Sequence, residues 1–160
     1  MKRIKGLTLV EVLVAMAILA VVALSMFMVY PALFENVTLS SENMKAFEAA
    51  KRQMEALVAA NYTDLYNVSY NTTPVANNFT PQNLLNSTGV YYVKRLTYAN
   101  LTDIPNLLDL EVVVSYKVGA RTIGEDQNLN WVLDAGEDID SNGKINSTIK
   151  LSTLIFNQNL

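Results

Sequence analysis

An unbroken apolar run at residues 12–34 constrains the fold of this chain more than any other feature. Only Ser25, Tyr30 and Pro31 depart from plain hydrocarbon side chains there. Because a helix needs about 20 apolar residues to cross a bilayer, the run predicts one membrane-spanning helix. Glu11 stands directly before the run, and an unpaired carboxylate at the head of such a helix is costly, which marks it as a functional residue.

Basic residues on one side of the run indicate its orientation. Lys2, Arg3 and Lys5 precede it, so the positive-inside rule predicts a cytoplasmic N-terminus and an extracytoplasmic chain from Glu35 onward. A cleaved secretory signal peptide would have a shorter apolar core followed by a small-residue cleavage site, which this segment lacks. A plain membrane anchor explains the apolar run but not the pairing of a Gly with Glu11.

The N-terminal residues resemble those of a known family. They read Lys5-Gly6-Leu7-Thr8-Leu9-Val10-Glu11-Val12-Leu13-Val14. This segment is similar to the leader and start of type IV prepilins and type II secretion pseudopilins, and residues 7–20 look most like the minor members. Residues 50–57 add a weaker similarity, and Leu7 departs from the more usual Phe. The resemblance covers the first third of the chain, and the rest matches in layout only.

The resemblance implies a processing site and an assembly residue. A prepilin peptidase would cut between Gly6 and Leu7, and the new amine of Leu7 would be N-methylated. Glu11 would become the fifth residue of the mature chain. In a filament its carboxylate would pair with the Leu7 amine of a neighbouring subunit, so that neither buried charge is left alone. The implied partners are other pilin or pseudopilin subunits, the prepilin peptidase, the inner-membrane assembly platform and the membrane itself.

Composition excludes several classes of function. The chain has no Cys and no His, which excludes disulfides, thiolate or imidazole metal sites, and Ser-His-Asp or Cys-His catalysis. No other nucleophile and base pair stands out, so we expect no enzymatic activity. A formal net charge of −3 without a basic patch argues against a nucleic-acid partner.

Helix-forming residues continue beyond the apolar run. From Leu7 to Ala60 there is no Gly, and Pro31 is the single Pro, so we expect one long helix with a kink near Pro31. Its second half is predicted to be amphipathic. The predicted apolar face consists of Met44, Phe47, Met54, Leu57 and Val58. The predicted i,i+4 pairs on the polar side are Glu48–Arg52 and Lys51–Glu55.

Three strands are predicted after the helix, at residues 90–98, 110–118 and 147–156. Residues 61–88 read as an irregular connection with room for one short strand or turn. Short connections favour antiparallel pairing. The predicted fold is therefore α+β and pilin-like, with a long N-terminal transmembrane helix packed on a small antiparallel β-sheet domain.

The predicted division of the chain follows the same features. It consists of a leader at 1–6, a transmembrane and filament-core half of the helix at 7–34, an amphipathic half at 35–60, and an extracytoplasmic β domain at 61–160. An acidic loop at 125–146 lies within that domain.

Oxygen-bearing side chains in the acidic loop follow the spacing of a calcium loop. Positions one, three, five, seven, nine and twelve of an EF-hand loop would be Asp126, Asn128, Asn130, the carbonyl of Val132, Asp134 and Glu137. Trp131 takes the sixth position, where the EF-hand has Gly, so a variant loop like that of dockerin-type repeats fits better. The expected cofactor is a structural calcium ion, because the ligand positions match those of a calcium loop. Magnesium is less expected, because it prefers few protein ligands and retained water. The alternative is a solvated polar loop.

A second, incomplete run follows directly. It places Asp138, Asp140, Asn142 and Gly143 at positions one, three, five and six. Asp138, Asp140 and Asn142 are therefore candidate ligands of a second metal site. Its twelfth position is Ile149 rather than an acidic residue. Carboxylates are crowded through both runs with no cation before Lys144, and such crowding is relieved by solvation or by a bound cation.

Asn-x-Ser/Thr sequons are frequent outside the membrane segment. They begin at Asn36, Asn61, Asn67, Asn71, Asn78, Asn86, Asn100 and Asn146. All lie on the predicted extracytoplasmic side, where glycosylation occurs. An Asn- and Thr-rich surface that simply favours turns is the alternative.

These features together predict a structural subunit, a minor pilin or pseudopilin. It would lie in the cytoplasmic (inner) membrane as a single-pass protein and then move into an extracytoplasmic or cell-surface filament. Type IV pilus, competence filament and type II secretion filament all remain open. The alternative is a membrane-tethered, calcium-binding adhesive or receptor domain that does not polymerise.

Overall fold

The computed structural model describes residues 8–97 and 103–157. The predicted leader, the Gly6–Leu7 cleavage site and the sequon at Asn100 lie outside these residues. By its internal contacts the chain divides into two compact units, with the boundary between Ser40 and Ser41. The boundaries predicted above for the leader, the half-helices and the β domain stay predictions.

Helix α1 spans Leu9–Ala59 and continues through Pro31. One polar side chain within the apolar stretch bonds to the helix itself: the hydroxyl of Ser25 donates to the carbonyl of Val21 at 2.8 Å. That bond removes the need for an outside partner in a bilayer, where an unsatisfied hydroxyl is costly. The helix is long and apolar enough to cross a membrane, and its apolar window is not buried by the described residues.

The C-terminal part of α1 buries mainly small residues. Ala46, Ala49, Ala50 and Leu57 are buried, and their spacing follows one face of a helix. Small side chains allow the helix axis to come close to the surface it covers. The phenol of Tyr116 donates to the side-chain oxygen of Asn43, which ties this face to the sheet.

The predicted apolar face of this half-helix is therefore largely wrong. Of its five residues, Leu57 is buried and Met54 is half-buried, but Met44, Phe47 and Val58 are 66%, 48% and 54% exposed. The prediction followed the largest hydrophobic residues, whereas the alanine row lies on a different side of the helix. Both predicted ion pairs form, with nitrogen–oxygen distances of 3.7 Å for Glu48–Arg52 and 3.8 Å for Lys51–Glu55.

A short helix and five strands follow. They are α2 (Tyr62–Asn67), β1 (Asn77–Phe79), β2 (Ser87–Thr97), β3 (Asp103–Val118), β4 (Arg121–Ile123) and β5 (Ile149–Phe156). All strand pairs are antiparallel, in the order β1-β2-β3-β4, and β5 also pairs with β3. A long N-terminal apolar helix with a small antiparallel sheet is the α+β fold that the sequence predicted.

Strand β3 organises the sheet because both of its faces are covered. All six residues from Glu111 to Tyr116 are buried, and a strand buried on both faces loses the alternation of a half-exposed strand. On one face, Leu110, Val112 and Tyr116 lie on the same side as the contact with Asn43. On the other face, Val113 packs with Val90, Tyr92, Tyr70 and Ile145. This second face lies beneath the acidic loop and positions it.

Candidate functional site

The first run of the acidic loop folds around a fully buried carboxylate. Asp126 is 0% exposed. One of its oxygens accepts from the backbone N–H of Asn130 at 2.9 Å, and the other accepts from the N–H of Trp131 at 3.0 Å and the Thr88 hydroxyl at 2.7 Å. Because Thr88 belongs to β2, the first position of the run is anchored directly to the sheet.

Glu137 closes the same run from its twelfth position. It is 7% exposed, and its two oxygens accept from the N–H groups of Gln127 at 2.9 Å and Asp134 at 3.1 Å. Side-chain amides of Asn128 and Asn130 donate to Asp134 at 2.7 and 2.9 Å. Those hydrogen bonds lower the pKa of Asp134, so its carboxylate is ionised at neutral pH.

Trp131 occupies the sixth position of the first run, where an EF-hand loop has Gly. Its φ is 64°, the left-handed conformation that Gly would normally supply. The cost to a bulky residue is offset by packing, because Trp131 and Leu133 lie against the cluster beneath the loop. The indole N–H donates to the carbonyl of Phe79 at 3.3 Å. Val132 is exposed, and its N–H donates to the side-chain oxygen of Asn130 at 2.8 Å.

The second run repeats the local contacts of the first. Asp138 accepts from the N–H groups of Asn142 and Gly143, both at 3.0 Å. The side-chain oxygen of Asn142 accepts from the N–H of Lys144 at 2.7 Å. Gly143 at the sixth position has a φ of 71°. The two runs therefore share the same arrangement at positions one, five, six and seven.

Glu125 is the residue that sequence reasoning missed. It lies directly before the first run, is 7% exposed, and accepts from the N–H groups of Ile139 at 3.1 Å and Asn146 at 2.8 Å. One oxygen from each of Glu125, Asp138 and Asp140 lies within 4.8 Å of the others. No such convergence of three carboxylates occurs at the first run within residues 8–97 and 103–157. The second run, incomplete by sequence, thus has the tighter carboxylate group.

The buried carboxylates of the loop have hydrogen-bond donors but no counter-charge. In the described part of the chain, no Lys or Arg forms an ion pair with Glu125, Asp126 or Glu137. The ammonium of Lys144 instead forms an ion pair with the carboxylate of Glu111, with a nitrogen–oxygen distance of 2.7 Å. A buried charge without a counter-charge is costly, and a bound cation would supply that counter-charge. Because the atoms available as metal ligands are carboxylate, amide and carbonyl oxygens, the loop suits a hard cation such as calcium.

An ion triad connects the second run to the sheet. Glu111 of β3 pairs with Lys144 at 2.7 Å and with Lys150 at 3.0 Å. Burial raises the pKa of Glu111, but the two ammonium groups outweigh it and hold the pKa below its ordinary value. Burial likewise raises the pKa of the neighbouring Tyr92 to about 12, and its phenol oxygen accepts from the N–H of Ile145 at 2.7 Å.

Glu11 at the start of α1 has a local partner. Its carboxylate accepts from the N–H and the hydroxyl of Thr8 at 2.8 and 2.9 Å, and the Thr8 hydroxyl accepts from the Glu11 N–H at 3.3 Å. This reciprocal pair is a capping box, which satisfies free N–H groups at a helix start. Sequence reasoning missed it, although Thr at the cap with Glu three residues later is its signature. Both contacts to the Glu11 carboxylate use a single oxygen, Oε2.

The same segment is where the chain resembles known proteins. Residues 1–27 match the family model described as the prokaryotic N-terminal methylation motif. This motif is the type IV prepilin-like signal. It confirms the predicted prepilin resemblance and points to a structural subunit rather than an enzyme, while the minor subtype stays a prediction. No curated protein and no solved structure matches the chain.

The described sequons differ in accessibility. Five asparagines are exposed: Asn36, Asn61, Asn67, Asn78 and Asn86. Asn71 and Asn146 are half-buried. The side-chain nitrogen of Asn146 donates to Asp140 at 3.0 Å, so a glycan there would replace a loop contact. Asn61 caps α2 by accepting from the N–H of Thr63 at 3.0 Å. Glycosylation at any of these sites stays a prediction.

Proposed function

We propose that this protein is a filament subunit, a minor pilin or pseudopilin of a type IV pilus, competence filament or type II secretion filament. The observation that carries the proposal is the prepilin-like signal at residues 1–27 on a helix whose apolar side chains are exposed. In the membrane, lipid would cover those side chains. In a filament, the helices of neighbouring subunits would cover them instead.

Processing would create the group that Glu11 needs. Cleavage after Gly6 would free the amine of Leu7, which would be N-methylated and cationic. Thr8 uses one oxygen of the Glu11 carboxylate, so the other can accept from the Leu7 amine of a neighbouring subunit. Pairing of the two charges in an apolar surrounding favours one register between subunits. The prepilin peptidase and the inner-membrane assembly platform would act before this step.

Large apolar side chains are also exposed beyond the membrane-length stretch. Met44, Phe47 and Val58 project from α1 without cover from the described residues. Large apolar side chains in solvent are a feature of interaction surfaces. They support packing between subunits outside the bilayer, with the N-terminus cytoplasmic and the β domain extracytoplasmic.

A single substitution separates this proposal from its alternative. Glu11→Ala should abolish incorporation into sheared filaments while the processed chain remains in the membrane. The matched control is Glu48→Ala, which removes an exposed carboxylate paired only at 3.7 Å with Arg52 and should assemble normally. A tethered adhesive or receptor domain that does not polymerise would be unaffected by Glu11→Ala. Normal filaments containing that variant would contradict the proposed role of Glu11.

We also propose that calcium is a structural cofactor of the acidic loop. The proposal rests on three carboxylates, Glu125, Asp126 and Glu137, that are more than nine-tenths buried without a counter-charge among the described residues. Residues proposed as ligands in the first run are Asp126, Asn128, Asn130, the carbonyl of Val132, Asp134 and Glu137. Bound calcium would stabilise the folded loop by an amount that rises with the logarithm of the calcium concentration divided by the dissociation constant.

Thermal unfolding of the full chain in detergent tests the calcium proposal. Calcium should raise the melting temperature above that measured with a chelator. Magnesium at the same concentration should raise it less, because it keeps several of its waters. Equal melting temperatures in calcium and in chelator would contradict a structural role for the ion.

A further inference from the structure

We propose that the outer edge of β5 is a docking site for an extended segment of another protein, which adds to the sheet as an antiparallel strand. This segment would be apolar at alternate positions and would place an acidic residue opposite Lys150. The inference depends neither on the filament proposal nor on the calcium proposal. It rests on the hydrogen-bond pattern of the sheet, on the side chains along β5 and on the way the other edge is covered.

Hydrogen bonds within the sheet show which backbone groups of β5 point outward. The N–H of Lys117 in β3 donates to the carbonyl of Asn86 beside β2, so β3 directs the backbone groups of its odd-numbered residues toward β2. Its even-numbered residues at 108–114 direct theirs toward β5, where they pair with the odd-numbered residues at 149–155. The residues of β5 whose backbone groups point away from β3 are therefore Lys150, Ser152, Leu154 and Phe156.

This outer edge is open to another chain. Within residues 8–97 and 103–157, β5 pairs with β3 alone. Proteins usually protect a free edge with a Pro, a bulge or an outward Lys. β5 contains no Pro and pairs in an unbroken register, and its single Lys, Lys150, is held to Glu111 at 3.0 Å. Leu154 and Phe156 are both 59% exposed. Such an edge accepts an extended polypeptide through main-chain hydrogen bonds.

The opposite edge of the sheet, along β2, is covered by the chain itself. β1 pairs with β2 at residues 89–91. Further along β2, the N–H of Tyr70 donates to the carbonyl of Val93 at 2.9 Å, and the N–H of Arg95 donates to the carbonyl of Tyr70 at 2.8 Å. Because these groups are already paired, the β5 edge of one copy cannot join the β2 edge of a second copy head to tail.

The course of α1 argues against pairing between the β5 strands of two copies. Asn43 of α1 contacts Tyr116 of β3. Farther along α1, Ala49 and Gln53 line a cavity with Phe79 of β1, so the helix crosses the sheet from β3 toward β1. Antiparallel β5–β5 pairing would relate two copies by a two-fold axis perpendicular to the sheet, which reverses the direction of this part of α1. Two copies anchored by α1 in one membrane would need the same direction, so the occupant is a different chain.

Side chains beside the outer edge determine the chemistry of the docked segment. On the face that carries α1, β5 presents the half-buried Leu151 and Ile155, which favour apolar residues at the positions opposite them. On the other face Lys150 and Leu154 are exposed. An acidic residue opposite Lys150 and an apolar residue opposite Leu154 complement that face.

Residues 107–114 of β3 have this alternating pattern and provide the probe. Shifted by two residues from the native pairing, a peptide of this sequence places Leu107 opposite Leu154 and Glu111 opposite Lys150. The acetylated and amidated peptide, carrying a fluorescent label, should bind saturably to the full chain in detergent, measured by anisotropy. Its docked N–H groups would be those of the odd-numbered residues.

A proline substitution tests the outer edge specifically. Ser152→Pro removes one outward N–H and leaves the bonds to β3 in place, because Pro is tolerated where the N–H of an edge strand faces solvent. Ser152→Pro should weaken peptide binding by at least about tenfold. The matched control Ser152→Ala keeps the N–H and should bind like the wild type. Equal binding by the two variants would overturn the proposal.

Modified peptides test the same contact without a change in the protein. N-methylation of the peptide at Asp109 blocks an N–H that would face β5 and should weaken binding by at least about tenfold. N-methylation at Leu110 blocks an N–H that points away and should leave binding unchanged. This arm decides the question should Ser152→Pro fail to fold, since equal binding by both methylated peptides would overturn the docking geometry.

Amide exchange measured by NMR locates the bound peptide. In the free chain the N–H groups of Ser152 and Leu154 should exchange fast and that of Thr153 slowly, and saturating peptide should slow the fast pair by at least about tenfold. Unchanged exchange of that pair would overturn the proposal. So would slowing with protein concentration alone, because a second copy would then occupy the edge. None of these outcomes bears on filament incorporation or on calcium binding.

Discussion

Replacing Asp126 by Ala gives the most severe test of the loop architecture. The carboxylate accepts from Thr88, Asn130 and Trp131 at 2.7–3.0 Å and is fully buried. Asp126→Ala leaves all three donors without an acceptor, and each such donor costs about 1–3 kcal/mol. We expect a loss of at least about 3 kcal/mol in chelator, where no ion contributes. Asp126→Asn keeps one acceptor oxygen and should lose about 1–2 kcal/mol.

Thermal unfolding of the full chain in detergent, followed by Trp131 fluorescence, measures this loss. For a domain of this size a loss of 3 kcal/mol lowers the melting temperature by roughly 10 °C or more. The matched control is Asp64→Ala on exposed α2, which should change the melting temperature little. If Asp126→Ala has the same melting temperature as the Asp64→Ala control, the Asp126 carboxylate does not organise the loop and the reasoning is refuted.

Three further substitutions test other parts of the account. Ala50→Leu should destabilise the compact unit that begins at Ser41 by about 1–3 kcal/mol, because the residue is fully buried. Ala56→Leu, at an exposed position, is its control. Glu111→Gln should cost about 2 kcal/mol, since it leaves Lys144 without its partner at 2.7 Å. Thr8→Val should cost the start of α1 about 1 kcal/mol in helix stability, measured by amide exchange in micelles.

Each of these has an outcome that would contradict it. Equal melting temperatures for the two Ala→Leu variants would mean that the alanine face is not the packed face. An unchanged melting temperature for Glu111→Gln would show that Lys144 is solvated rather than held. Unaltered exchange at the start of α1 in Thr8→Val would remove the capping box.

Long elements were predictable because their patterns are long. The apolar run and the absence of Gly predict α1, and runs of β-branched and aromatic residues predict β2, β3 and β5. Helix α2 and strand β4 escaped prediction, and β1 was expected only as one short strand or turn somewhere in residues 61–88. Segments of three to six residues are too short to show a periodicity. The kinked passage at Pro31 was expected from backbone chemistry, and α1 nevertheless stays one helix through it.

We predicted the packed face of α1 from the positions of its largest hydrophobic side chains, and this prediction was largely wrong. Ala46 and Ala50 are fully buried although alanine adds little to a hydrophobic pattern, and no pattern within the helix shows which of its sides is covered. Met44 and Phe47 have the stronger hydrophobic signal but lie exposed. A hydrophobic pattern marks side chains that avoid water, and it does not show whether the same chain or another molecule covers them.

The loop illustrates the limit of reading ligands from spacing. The six positions of the first run follow one another in sequence, so their pattern was visible. Glu125 contacts a run that begins thirteen residues later, and this became visible only through the N–H groups of Ile139 and Asn146 that donate to its carboxylate. The capping box of Thr8 and Glu11, by contrast, was missed but could have been predicted from sequence, since the two residues are three positions apart.

The mass of the chain recovered from purified filaments tests the central claim most directly. A processed subunit should appear in the sheared filament fraction with an N-terminal peptide that begins at Leu7 and carries one added methyl group. A chain that is absent from filaments, or that keeps residues 1–6, would contradict the claim that this protein is a processed filament subunit.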